Sequence, residues 1–304
     1  MQCPFSWRSA LPWMGRTFML LGLVFVVHKL WNARHTLDGS LQDPTLWLSV
    51  PLLGLAYAVV CSLLAFAWLA LLRAQRVSSS LFTRTEAWTL YGKTQIAKYI
   101  PGNVFHFAGR QVLGKQKGMA HSTLAVALFL EILIQFLAAA LLSLLAAKSI
   151  LNRFELSWSE FCPWIGLSCA VLTLTVFWVL NSRLKQAWPI LFLSPLAGSL
   201  VAYLAFFIFS GLLFMCTVFL ASSGSVTVPL AAWPFLIGSY AFAWAVGFVI
   251  PGAPGGLGVR EAVLLAMLES SMAGAGLLVG IVIFRLVTTL GDIFYFCFSL
   301  VVDS

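Results

Sequence analysis

From Gln186 to Val259 the chain carries no Asp, Glu, Lys, Arg or His. No water-exposed fold of ordinary composition sustains a run of that length, so most of this half must lie in lipid or pack against segments that do. Of all 304 residues only 9% are charged and 61% are hydrophobic, against roughly a quarter charged in a soluble domain. A membrane crossing takes about 20 apolar residues, and the polar interruptions leave room for about seven. The expected fold is therefore all-α, a polytopic transmembrane helix bundle forming one integral membrane domain over residues 1–304. Its spans are expected near Thr17 to Val27, Leu46 to Leu72, Ala120 to Ala147, Phe161 to Leu180, Ser199 to Ala221, Leu230 to Ile250 and Gly276 to Val302.

The net charge is +8, and eight of the eighteen Lys and Arg lie between Arg73 and Lys117, with Glu86 as the one acid among them. No aromatic-interleaved basic domain accompanies them, so nucleic acid is not an expected partner; the asymmetry follows the positive-inside rule. It places the N-terminus and the Arg73 to Lys117 segment in the cytoplasm. Arg8 and Arg16 precede the first apolar run, but Lys29 and Arg34 follow it in place of a small-residue cleavage pattern, which reads as an uncleaved helix. The six cysteines are scattered without a C-x-x-C, implying neither disulfides nor a metal. Gly92-Lys93-Thr94 resembles the end of a phosphate-binding loop, yet Ala87 stands where that loop needs glycine and no strand precedes it. No cofactor is expected.

Two stretches resist a plain helix bundle: Ile100-Pro101-Gly102 leading to Gly109-Arg110, and Ile250-Pro251-Gly252 leading through Pro254-Gly255-Gly256-Leu257-Gly258 to Arg260. Each is Ile-Pro-Gly followed after seven residues by Arg, 150 positions apart. Proline removes a donor and glycine admits positive φ, so both stretches should interrupt helices. Interrupted backbone at membrane depth is tolerated only inside protein or along a wet cavity. Paired interruptions point to a transporter's binding site, with broken or re-entrant segments and a weak internal repeat around residues 98–147 and 248–302. Gly276 and Gly280 form a small-residue face for close helix approach.

Ionised groups also stand where lipid penalises them. Glu131 lies within Leu124 to Leu145, and Arg285 and Asp292 lie within the last helix; an unpaired charge at mid-bilayer costs about 2.5–3.5 kcal/mol on insertion scales. Arg285 and Asp292 share a face two turns and ~10 Å apart, too far for a direct pair. Glu131 is then the expected partner of Arg285, with Arg260 and Glu261 completing a mixed cluster at the second break. A buried ion-pair network that only fixes helix register is the structural alternative. A half-helix opening after Gly258 would aim its N–H groups at an occupant of the break, and with Arg260 adjacent an anion is favoured.

At these residues the chain resembles the membrane domain of the lysylphosphatidylglycerol synthase/flippase family. The matching pieces are Lys98-Tyr99-Ile100-Pro101-Gly102 through Gly109-Arg110, the Glu131 helix, Pro254-Gly255-Gly256-Leu257-Gly258-Val259-Arg260-Glu261, and Phe284-Arg285-Leu286-Val287-Thr288 with Gly291. The resemblance implies a polytopic inner-membrane protein that moves a lipid between leaflets. Some members are fused to an aminoacyl-lipid synthase domain; the 304 residues hold no such domain, so lipid synthesis is not expected. The expected substrate is a membrane phospholipid or polyprenyl-linked lipid, held by Lys98, Arg110, Arg260 and Arg285 with Glu131, Glu261 and Asp292 balancing charge. A lipid or glycan synthesis enzyme is the expected protein partner. The alternatives are an intramembrane glycosyl or acyl transferase, and a non-catalytic subunit of a glycan or lipid assembly system.

Overall fold

The computed structural model describes residues 44–75, 83–100, 104–147, 193–222, 229–250, 253–269, 271–272 and 275–303, with residues 24, 27, 28 and 31. The described residues form eight helices and no strand: α1 Pro44–Ala74, α2 Arg84–Gln95, α3 Phe105–Gln116, α4 His121–Ser143, α5 Leu193–Ala221, α6 Trp233–Val249, α7 Val259–Leu268 and α8 Ala275–Val302. Short 3-10 turns follow α2 (Ile96–Tyr99) and precede α7 (Pro254–Gly256).

Five stretches are long and apolar enough to cross a membrane: Pro44–Ala74, His121–Ala146, Ser194–Ala221, Leu230–Val249 and Gly276–Val302. They coincide with five of the expected spans. The expected span Phe161 to Leu180 lies outside the described residues, as does Thr17 to Val27 apart from Val24 and Val27, both helical. Helix α5 starts six residues before the expected Ser199. The sequence there ends in Pro195, which reads as a loop signal, but proline in a first turn loses only an N–H that has no helical acceptor. Ser199 then donates to Pro195 O at 2.8 Å and to Ala67 O at 3.0 Å, tying α5 to α1.

Helices α1, α5 and α8 pack on one another as a central trio, α4 and α6 close one side, and α2 lies along α8. In lipid, helices associate through close packing rather than hydrophobic exclusion, and glycines set the distances here. A Cβ on Gly280 would lie 2.7 Å from the Val218 backbone, and one on Gly276 would lie 2.6 Å from the Ser222 side chain. The small-residue face that opens α8 is therefore where α5 seats. Further along, a Cβ on Gly291 would meet Gly54 O at 2.7 Å. Outward side chains such as Leu48, Leu52, Val59, Val201 and Phe209 are exposed and give the bundle an apolar exterior.

At two places a helix breaks and resumes as a short helix that leads to a long one. Helix α2 opens with a capping box: Glu86 N–H donates to Thr83 Oγ1 at 3.1 Å and Thr83 N–H to Glu86 Oε2 at 2.9 Å. It runs through a 3-10 turn to Ile100, which is extended (ψ 133°), and helix resumes at Phe105. In the second unit Ile250 caps α6 in an extended state (ψ 108°), and α7 resumes at Val259. Both isoleucines precede proline, which disfavours the helical basin. Pro101, Gly102, Pro251 and Gly252 themselves lie outside the described residues. Within the second break Gly255, Gly256 and Gly258 adopt φ of 57°, 74° and 81°, a left-handed region that other residues enter only under strain. Gly109 corrects the expected set of helix breakers: it lies inside α3, where a Cβ would stand 3.1 Å from Thr94 Cγ2 of α2. It sets the packing of two arms and does not end a helix.

Candidate functional site

The two breaks meet. The 3-10 turn after α2 contacts the one before α7, and around this junction lie two small cavities of about 40 and 50 Å³ that share Tyr57, Lys98, Gly255 and Arg260 as lining. The first lobe adds Tyr99, Tyr240, Glu261 and Arg285; the second adds Tyr91, His106, Arg110, Glu131 and Gln135. Six of the seven expected ligand-binding residues thus line one divided polar hollow. The seventh, Asp292, is fully buried just behind it.

Depth follows from helix position. Glu131 is ten residues into α4, Arg285 ten residues into α8, and Asp292 ten residues before its end, so each lies ~15 Å from a helix terminus at 1.5 Å per residue. That is half the thickness of a hydrocarbon core of about 30 Å.

Each long helix is tied to the short helix before it by one ion pair. In the first unit Arg110 of α3 meets Glu131 of α4, Nη1 to Oε1 at 2.8 Å, both nearly inaccessible, and Tyr91 OH donates to the same oxygen at 2.9 Å. In the second unit Glu261 of α7 faces Arg285 of α8 at 3.7 Å. The sign is reversed between units: the cation sits on the short helix in one and on the long helix in the other. The expected Glu131–Arg285 pair is therefore corrected. Helix α3 folds back against α4 and delivers Arg110 to Glu131 first, and Arg285 turns to the second break, donating to Gly255 O at 3.1 Å as well. Asp292 joins the units: Lys98 Nζ approaches its Oδ2 at 2.7 Å and Tyr99 OH donates to the same atom at 2.6 Å.

Arg260 stands apart. Among the described residues it forms no ion pair; its guanidinium lies over Trp244 at 5.5 Å, and its Nε is buried without a hydrogen-bond partner. Two glycines hold the side chain in this slot. A Cβ on Gly247 of α6 would fall 2.4 Å from Arg260 Cγ, and one on Gly256 would fall 2.5 Å from its Nε. Other buried polar atoms facing the hollow also lack partners: Arg110 Nη2, Glu131 Oε2, His106 Nδ1 and Glu261 Oε2. Native interiors leave few such atoms, and a cluster of them marks where water or a ligand completes the bonding. By formal charge the described residues here are four cations (Lys98, Arg110, Arg260, Arg285) against three carboxylates (Glu131, Glu261, Asp292).

No protein-family model matches this chain, and no curated protein matches it. The site rests on its own geometry. Sequence reasoning missed Tyr91 and Tyr99, whose hydroxyls donate to Glu131 and Asp292, and Gly247, whose setting in an apolar helix gives no signal. Gln135 was legible in principle, since it follows Glu131 by one helical turn on the same face. No group of three or more His, Cys, Asp or Glu suited to a metal occurs among the described residues.

What this arrangement can do is bind an anion. It offers an excess cation, donors without acceptors and an entry to helix α7 whose first N–H groups have no side-chain cap, inside a region of low dielectric where such interactions strengthen.

Proposed function

We propose that this chain is a lipid translocase that carries a phosphate-bearing headgroup across the bilayer through the divided hollow, with the acyl or prenyl chains remaining in lipid. On this reading the α2–α3 and α6–α7 segments are broken or re-entrant elements of a bundle with about seven crossings. The chain sits in the inner membrane with its N-terminus cytoplasmic, in keeping with its resemblance to the lysylphosphatidylglycerol synthase/flippase membrane domain. The observation that carries the proposal is Arg260, a guanidinium at the junction of the two breaks with no carboxylate of its own. A network that served only to fix helix register would close its charges, because an uncompensated buried ion is strongly destabilising. Here the compensation is left for a ligand. Arg260 engages the phosphate, Arg110 and Arg285 flank it, and Glu131, Glu261 and Asp292 hold those cations while the site is empty.

The test is leaflet-resolved lipid redistribution in proteoliposomes. Wild-type protein is expected to accelerate exchange of a labelled phospholipid over protein-free vesicles, and Arg260→Ala and Arg110→Ala to slow it at least tenfold. Wild-type rates in both variants would remove the phosphate-binding role.

A further inference from the structure

We infer that the hollow selects its headgroup by net charge and takes a lipid phosphodiester carrying a single negative charge, in preference to a phosphomonoester or to an aminoacylated lipid of net positive charge. The inference rests on the translocase reading and names its substrate class. Two independent observations carry it.

The first is charge. With Lys98, Arg110, Arg260 and Arg285 set against Glu131, Glu261 and Asp292, the described residues leave one cation over. Burying net charge in a medium of low dielectric is expensive, so the best-bound ligand is the one that brings the filled site to neutrality. A phosphodiester does so. A phosphomonoester, with a second pKa near 6 and a charge of about −1.5 to −2 at neutral pH, overshoots, and a lipid whose headgroup has gained ammonium groups adds to the surplus.

The second is size. The two lobes measure about 40 and 50 Å³, and a water requires about 10–15 Å³ by that measure, so each admits a group of three or four water equivalents. That suits the oxygens of one phosphate at the shared neck beside Arg260, with a small alcohol reaching into a lobe. A lysyl group has more heavy atoms than either lobe has room for waters.

Binding of short-chain lipids to the purified full-length protein tests the rule, with dioctanoyl phosphatidylglycerol, dioctanoyl phosphatidic acid and dioctanoyl lysyl-phosphatidylglycerol titrated separately at pH 7.5. The diester is expected to bind at least tenfold more tightly than either other lipid. Glu261→Gln, which raises the surplus from one to two, is expected to turn the preference toward the monoester, and Arg260→Gln, which removes the surplus, to weaken the diester at least tenfold. Glycerophosphoglycerol, the same diester without acyl chains, separates the sources: binding at least tenfold weaker marks the lipid as ligand, and equal binding marks a soluble diester under the same charge rule. Wild-type affinities within threefold of one another, or tightest binding of the monoester, overturn charge matching and leave translocation standing. Failure to bind any of the three overturns both. The wild-type comparison alone decides the inference if Glu261→Gln does not fold.

Discussion

Gly247→Ala isolates the slot that holds Arg260 without touching a charge. The new Cβ would lie 2.4 Å from Arg260 Cγ, 3.3 Å from Cδ and 3.0 Å from Nε, where carbon atoms pack at about 3.5–4.0 Å. The arginine must retreat by about 1 Å or more, out of a slot in which its Nε already occupies the space that a Cβ on Gly256 would fill, 2.5 Å from that position. The guanidinium therefore swings off Trp244. Loss of one hydrogen bond to a charged group is worth about 1.5–3 kcal/mol, which predicts a loss of lipid affinity of about 10- to 150-fold at 1.36 kcal/mol per decade. Thermal stability should fall by about 0–2 kcal/mol, because alanine gains about 1 kcal/mol of helix propensity over glycine in α6 against an overpacking cost of about 1–3 kcal/mol. Gly198→Ala is the control: nothing lies within 4 Å of that position, and both binding and exchange should stay at wild-type values. The assays are lipid titration and proteoliposome exchange, with a melt in detergent beside each. Wild-type affinity in Gly247→Ala would refute the claim that the glycine slot positions Arg260.

Three further outcomes follow from other parts of the molecule. Arg110→Leu or Glu131→Leu alone should destabilise by about 3–5 kcal/mol because each leaves the other ion buried and unpaired, whereas the double variant should recover most of that loss; denaturant titration in micelles measures the cycle. Gly280→Val should lower Tm and separate α5 from α8, since even its first carbon would stand 2.7 Å from the Val218 backbone and that backbone cannot yield; cross-linking between cysteines placed on the two helices reads the gap. At the start of α2, hydrogen bonds from the Thr83 backbone and hydroxyl, and then Lys117, hold the Glu86 carboxyl below its ordinary 4.5. A lowered folded-state pKa means the cap is fully stabilising above pH 4.5 and is lost as pH falls through the lowered value, so the protection factors of the first-turn amides of α2, taken against intrinsic exchange at each pH, should be highest at neutral pH and fall on acidification, while Thr83→Ala should cost about 1 kcal/mol at neutral pH and progressively less in acid.

Much of the architecture was legible because lipid imposes a simple rule. The five described spans sit within a few residues of their expected places, since twenty apolar residues in a row admit one interpretation. The breaks were legible for the same reason: Ile-Pro-Gly cannot continue a helix, and both isoleucines are extended. Pairing was not legible. Glu131 has several cations at plausible sequence distances, and the choice of Arg110 over Arg285 depends on α3 folding back against α4, a tertiary fact with no local signature. Gly109 misled because it stands beside Arg110 in the stretch that opens on Ile100-Pro101-Gly102, although its own backbone is helical and its smallness serves Thr94. Gly247 was invisible because a glycine among apolar residues reports nothing until the side chain it admits is seen.

The reversed polarity of the two ion pairs also bears on how such a bundle assembles. Were α3 to dock on α8, Arg110 would confront Arg285; were α7 to dock on α4, Glu261 would confront Glu131. Either exchange sets like against like in an oily setting that cannot dilute the repulsion. Each short arm is thus matched in sign to its own long neighbour and mismatched to the other.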